Sequence, residues 1–205
     1  MKEFWDSKYA SEEYVYGDQP NDYLKQAIDK KILSGRIMFP AEGEGRNAAY
    51  AAKNGIEAIA FDQSSEAKVK AMRLAAIKGV DIEYLVGEFL QAPLNKYKYF
   101  DGAVLIYAHF PEKLRAEYHN FIAKHIRPGG VILLESFSKG HTKNQEENPS
   151  VGGPRNIDML YTKEMIIDDF KMLTPLEIEE KEIYLSEGIG HNGIAKVIRF
   201  IGIKK

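Results

Sequence analysis

Short apolar runs alternate with helical periodicity along most of the chain. Ile37 to Phe39, Ala58 to Phe61, Ile82 to Val86, Gly102 to Tyr107 and Val131 to Glu135 read as strands, and Arg46 to Asn54, Ser65 to Lys78 and Glu112 to His125 read as helices between them. An earlier helix is predicted over Asp22 to Lys31, where Leu24, Ala27 and Ile28 are helically spaced after Pro20-Asn21 and Ser34-Gly35 closes the pattern. Alternation of this kind implies right-handed crossovers and a mostly parallel sheet. Continuous runs such as Ala103-Val104-Leu105-Ile106 suit strands covered on both faces. The fold class is therefore α/β.

The rhythm breaks near the end. Ile178 to Leu185 and Ile194 to Ile203 look like strands joined only by Ser186 to Gly193, too short for a crossover helix, which predicts an antiparallel hairpin. The polar stretch Ser138 to Asp158, with Gly140, Pro149 and Gly152-Gly153-Pro154, has little periodicity and reads as either a lid loop or disorder. One domain over 1–205 is expected: an N-terminal cover and helix at 1–35, a core at 36–135, the candidate lid at 138–158 and the hairpin at 176–203.

At 205 residues and 44% hydrophobic, the chain can bury one sizeable core without staples. A net charge of −2 with no Lys/Arg-dense block argues against a nucleic-acid partner and toward a small molecule. The absence of cysteine excludes disulfides, thiolate metal sites and Cys nucleophiles, and no metal site is expected. Met1 to Asp18 is charged and aromatic, and no run approaches about 18 apolar residues, so a cytoplasmic protein without a membrane partner is expected.

Chemistry concentrates where strands should end. Glu42-Gly43-Glu44-Gly45 follows the first strand and opens a helix; glycines one residue apart let bare N–H groups and a helix N-terminus approach a ligand. Asp62 ends the second strand about 20 residues after that turn, where ribose hydroxyls are held in strand–helix–strand cofactor domains. Gly87-Glu88-Phe89 ends the third run at the same edge.

Four landmarks in order extend the pattern: Glu42 to Ala48, Ala60 to Ser64 with Asp62 and Gln63, Phe100-Asp101-Gly102-Ala103-Val104, and Ile126-Arg127-Pro128-Gly129-Gly130-Val131. With them the chain resembles the class I S-adenosylmethionine-dependent methyltransferases over nearly its whole length. Gly45-Arg46-Asn47 and the aromatic N-terminus (Phe4-Trp5-Asp6, Tyr9, Tyr14 to Pro20) look closest to the tellurite-resistance and thiopurine S-methyltransferase-like branch. The resemblance implies a Rossmann-like, mostly parallel seven-stranded sheet with a C-terminal antiparallel hairpin and helices on both faces. It implies S-adenosyl-L-methionine as cofactor, with Glu42, Gly43, Glu44, Gly45, Arg46, Asn47, Asp62, Gln63, Gly87, Glu88 and Phe89 toward it. The turn at Gly87-Glu88-Phe89 would meet the adenine. The chain departs from the family at the first strand, where Phe39 and Ala41 stand in place of the usual acid and first glycine. Glu42 or Glu44 could then meet the ammonium group. Arg46 has two readings, a partner for the cofactor carboxylate or for Glu42.

Methyl transfer to a small acceptor, with a thiol or chalcogen as candidate nucleophile, is the activity implied. His109, after the fourth strand, and His191, in the terminal hairpin, are the candidate catalytic residues at the acceptor end. His141 and Arg155 read as solvated loop residues. Trp5, Tyr9, Tyr14 and Tyr16 read as an aromatic cover or as packing for the leading helix. Two other readings stay open: a non-catalytic S-adenosylmethionine-binding protein and an NAD(P)-dependent oxidoreductase, whose fingerprint wants a third glycine near Arg46. The exposed aromatic N-terminus would also suit a homodimer.

Overall fold

The computed structural model describes residues 2–91 and 94–205. Its strands are β1 (Arg36–Pro40), β2 (Glu57–Asp62), β3 (Glu83–Val86), β4 (Phe100–Ile106), β5 (Ile126–Phe137), β6 (Leu173–Glu187) and β7 (His191–Lys204). They form one sheet in the order β3-β2-β1-β4-β5-β7-β6. Only β7 runs against its neighbours, so β6 is again parallel to the first five and the β6–β7 turn lies at the carboxyl edge of the sheet. The expected Rossmann-like architecture with a terminal antiparallel hairpin is what forms.

Strand pleating sorts side chains onto two faces. Ile37, Phe39, Val104 and Leu133 join a core with α2 (Asp22–Asp29), α3 (Arg46–Lys53) and α4 (Ser65–Lys78). Met38, Ala103, Leu105, Ile132 and Leu134 join the opposite core with α5 (Glu112–His125) and α7 (Lys163–Asp169). Phe39 is fully buried. An acid at that strand position would bury a charge in the core, so any carboxylate serving the cofactor edge must come from elsewhere.

Two segments depart from their sequence reading. The N-terminus holds an additional helix, α1 (Lys2–Tyr9), laid against α4. Residues 138–158, read from sequence as either a lid loop or disorder, are folded into short helical turns around α6 (Thr142–Glu147). His141 is fully buried and accepts the Lys196 N–H, so it is a framework residue and not a solvated one, whereas Arg155 is exposed, as expected, and donates to the carbonyls of Gln145 and Pro149. Among the described residues, no helix is long and apolar enough to cross a membrane.

Candidate active site

Strand order reverses between β1 and β4, and ligands in open α/β sheets bind beyond the carboxyl ends of the strands at such a point. The loop leaving β1 turns on Ala41 (φ 53°), Gly43 (φ 63°) and Gly45 (φ 86°), the last being the N-cap of α3. Gly45 is needed by packing: an added Cβ would lie 2.5 Å from the Ala71 Cβ of α4. Glu42 folds back over the helix start, one oxygen accepting the N–H groups of Asn47 (2.9 Å) and Ala48 (2.7 Å). These donors are the unpaired N–H groups every helix start presents. Desolvation pushes the Glu42 carboxyl up to about 7, against the pull of the two N–H groups and Arg46.

Asp62, at the tip of β2, accepts the Gly43 N–H on one oxygen and the Ser64 N–H on the other. Burial pushes its pKa up. Gln63 follows, half-buried. Tyr84, on β3, donates to the Gly43 carbonyl at 2.6 Å and fixes the loop from below. In the third turn, Phe89 stacks on Tyr118 and touches Phe61 and Phe110, while Glu88 is exposed.

Glu44 corrects its sequence assignment. Its buried carboxylate pairs with Lys70 at 2.7 Å and accepts the N–H groups of Val15 and Tyr16. It therefore holds the N-terminal strap and has no part left for a cofactor ammonium. Lys70 adds bonds to the carbonyls of Ser11 and Glu13. Tyr9 and Trp5 stack, and the Tyr9 hydroxyl lies over Gly43, where a Cβ would come within 2.8 Å of it. Tyr9 and Tyr16 thus belong both to packing and to the cover over this edge. Asn47 accepts the Asn21 N–H.

Arg46 likewise turns from the cofactor loop toward the hairpin, donating to Glu187 (2.8 Å) and the Gln19 carbonyl (3.2 Å). Glu187 also accepts from Nδ1 of His191 at 3.0 Å. Burial raises its pKa, but His191 and Arg46 outweigh it and hold the carboxyl down at about 2. His191, its own pKa lowered by burial, stands among the rings of Tyr16 (4.4 Å), Tyr107 (4.7 Å) and Phe137 (5.2 Å). Tyr107 follows β4 with φ 52° and is clamped twice to Glu135 of β5: its N–H meets the backbone carbonyl and its hydroxyl the carboxylate, both at 2.8 Å. The same carboxylate takes Asn21 (2.6 Å) and Arg199 (2.6 Å), and Asn21 reaches on to Glu187.

His109 does not join this group chemically. Its Nδ1 donates to the Met159 carbonyl and its Nε2 accepts the Phe137 N–H, so both ring nitrogens are committed to backbone, and burial lowers its pKa to about 3. A base needs a free nitrogen, which makes His109 a structural residue here. Glu187, Glu135, Tyr107 and Asn21 were absent from the sequence-derived site. The available signals were an acid closing an otherwise apolar strand (Glu135) and a Glu–His pair straddling a Gly-Ile-Gly turn (Glu187 and His191).

Residues 40–130 match the family described as "Methyltransferase domain". The chain carries a methyltransferase domain. S-adenosylmethionine is the cofactor of this methyltransferase. Solved structures share its fold at low identity. The protein from a study of the "Conversion of a Disulfide Bond into a Thioacetal Group during Echinomycin Biosynthesis" aligns over all of this chain and 92% of its own, with TM-score 0.82 and 18% identity. TehB from Haemophilus influenzae aligns over all of this chain and 67% of its own, with TM-score 0.69 and 15% identity. Magnesium protoporphyrin IX methyltransferase from Synechocystis PCC 6803, solved with bound S-adenosyl-L-homocysteine, aligns over all of this chain and 98% of its own, with TM-score 0.74 and 12% identity. No curated protein sequence matches the chain.

The residues of the methyltransferase edge fit that cofactor on chemical grounds. A dinucleotide would bring its pyrophosphate to the start of α3. That start is closed by the Glu42 carboxylate. An anion is repelled there, while a phosphate-free ligand with an ammonium group is not, which disfavours the oxidoreductase reading.

Proposed function

We propose that the methyltransferase acts on a small acceptor with a soft nucleophile, a thiol or a related chalcogen, in keeping with its resemblance to the tellurite-resistance and thiopurine branch. The observation that carries this reading is the His191 imidazole, oriented by Glu187 and enclosed by Tyr16, Tyr107 and Phe137. With Nδ1 donating to Glu187, Nε2 is left as the acceptor nitrogen, and the lowered pKa keeps it unprotonated at neutral pH. A neutral imidazole among rings suits removal of a thiol proton in apolar surroundings, where a soft nucleophile loses little solvation. The sulfur chemistry named for the echinomycin protein lends this acceptor class support.

On the cofactor side, Asp62 is assigned to the ribose hydroxyls, Gly87 to Phe89 to the adenine, and Glu42 with Gly43 to the amino-acid end. Gln63 lies between the first two. Glu44, Arg46, Asn47 and Gly45 build the frame that holds these groups. S-adenosylmethionine, when bound, supplies a methyl group already activated on a sulfonium, so the protein's share is alignment and removal of water. The test is incubation with S-adenosylmethionine and a panel of thiophenol, 2-mercaptoethanol, selenide, a primary amine and a carboxylate, with methylated products read by mass spectrometry. Methyl thioethers that fall at least 100-fold in yield in His191→Ala are expected; turnover of the amine or carboxylate alone would overturn the acceptor class.

A further inference from the structure

We infer that Asn21 is a positioning residue for methyl transfer: its side-chain amide bridges the two carboxylates that aim Tyr107 and His191, and so sets the two walls of the acceptor end against each other. The inference rests on the acceptor reading proposed for His191 and goes beyond it.

Helix capping explains only half of this side chain. Oδ1 of Asn21 caps α2, accepting the N–H groups of Tyr23 (3.0 Å) and Leu24 (3.1 Å). Serine, threonine or aspartate would supply that acceptor as well. What asparagine alone adds among them is an amide nitrogen with two donors. Nδ2 gives these to Glu135 of β5 at 2.6 Å and to Glu187 of β6 at 3.2 Å. Asn21 is 1% exposed and its backbone N–H is held by Oδ1 of Asn47 on α3, so the amide has no freedom to turn elsewhere.

Each carboxylate holds one ring. Glu135 accepts the Tyr107 hydroxyl on the oxygen that Asn21 also reaches, and Arg199 on the other. Glu187 uses Oε2 for both His191 and Arg46, which leaves Asn21 as the one donor to its Oε1 among the described residues. A carboxylate held by a single oxygen can swing, and with it the imidazole it orients. The amide N–H groups also stand between two buried negative charges and offset their repulsion. Tyr107 and His191 meet edge to face at 4.7 Å, and Tyr107 holds φ 52°, a conformation that persists only where its surroundings impose it.

Removing the donor while keeping the cap isolates this role. Asn21→Ser keeps an acceptor for α2 and drops the bridge. Asn21→Asp keeps the cap and sets a third carboxylate against the other two. Neither touches the backbone bond to Asn47, so the frame of the cofactor loop is spared.

The experiment measures kcat with the best thiol acceptor of the panel at saturating S-adenosylmethionine, per cofactor site counted by calorimetric titration with S-adenosylhomocysteine. A fall of about 10-fold in Asn21→Ser and about 100-fold in Asn21→Asp is expected, the range that misaligned reacting groups cost, with S-adenosylhomocysteine affinity of Asn21→Ser within about threefold of the wild type. In a His191→Ala background, Asn21→Ser should lower kcat by less than about threefold, since residues that act as one unit are not additive. Unchanged kcat per site in both variants, or a further loss of about threefold or more in the His191→Ala background, would overturn the inference and leave the acceptor reading standing. Parallel loss of rate and of cofactor affinity would give Asn21 a structural role alone and also overturn it. If three buried acids keep Asn21→Asp from folding, Asn21→Ser carries the test by itself. A wild-type protein that methylates no thiol would overturn both.

Discussion

Ala41 and Tyr107 lie just beyond the ends of adjacent central strands, β1 and β4, and both hold left-handed backbone, with φ of 53° and 52°. They flank the point where strand order reverses. A side-chain-bearing residue in this region costs on the order of 1 kcal/mol or more, and such strain gathers at functional edges. Ala41 occupies the place of the family's first glycine. Ala41→Gly should relieve the strain and lose part of the gain to a more flexible unfolded chain. We expect a net stabilisation of about 0.5 kcal/mol by urea denaturation. A loss of 1 kcal/mol or more would show that the Ala41 methyl group packs usefully.

Gly45 is held by its neighbour on α4. Gly45→Ala faces both an unfavourable φ of 86° and the Ala71 methyl group. The expected cost is about 3 kcal/mol, combining backbone strain with overpacking. Adding Ala71→Gly should recover only part of the packing share, because the new Cβ would still lie 2.7 Å from the Ala71 Cα, and the φ share stays; a double-mutant cycle reads that partial non-additivity directly.

The Glu44–Lys70 pair fastens the strap over the cofactor edge. Lys70→Met would strand a buried carboxylate and free the carbonyls of Ser11 and Glu13, at a cost of about 3 kcal/mol. Limited proteolysis should then cut between residues 8 and 17 much faster than in the wild type, while the sheet core stays protected. Equal cutting rates would mean that aromatic packing holds the strap alone.

Glu187 makes stability depend on acid. Its folded pKa of about 2 lies below the ordinary glutamate value of 4.5, so the stabilisation is complete above pH 4.5 and is lost as pH falls toward 2. A shift of that size corresponds to about 3 kcal/mol. Glu187→Gln should flatten this part of the pH–stability curve and leave the region above pH 5 parallel to the wild type.

Much of the fold was legible because strands buried on both faces need unbroken apolar runs, as in Ala103 to Ile106, and because eight residues between Leu185 and Ile194 cannot make a crossover. The α1 helix was harder to read: Lys2 to Tyr9 buries only Tyr9, so it carries almost no apolar periodicity. At the site, strand tips announced Glu42, Gly43 and Asp62 as candidates by position. Position alone could not say that Glu44 faces the strap or that His109 spends both nitrogens on backbone. Glu187 looked like one more acid in the Glu-rich run of β6, and its tie to Arg46 spans 141 residues.

The place of β7 in the sheet bears on how the chain comes off the ribosome. β6 is made first yet has β7 as its sole strand neighbour, and β7 must slot between β5 and β6. Until the 14 residues of β7 emerge, the 15 residues of β6 wait without that partner. Glu177, Glu179, Glu180 and Glu182 along that waiting strand repel copies of themselves on neighbouring nascent chains, a guard against pairing with the wrong molecule during synthesis.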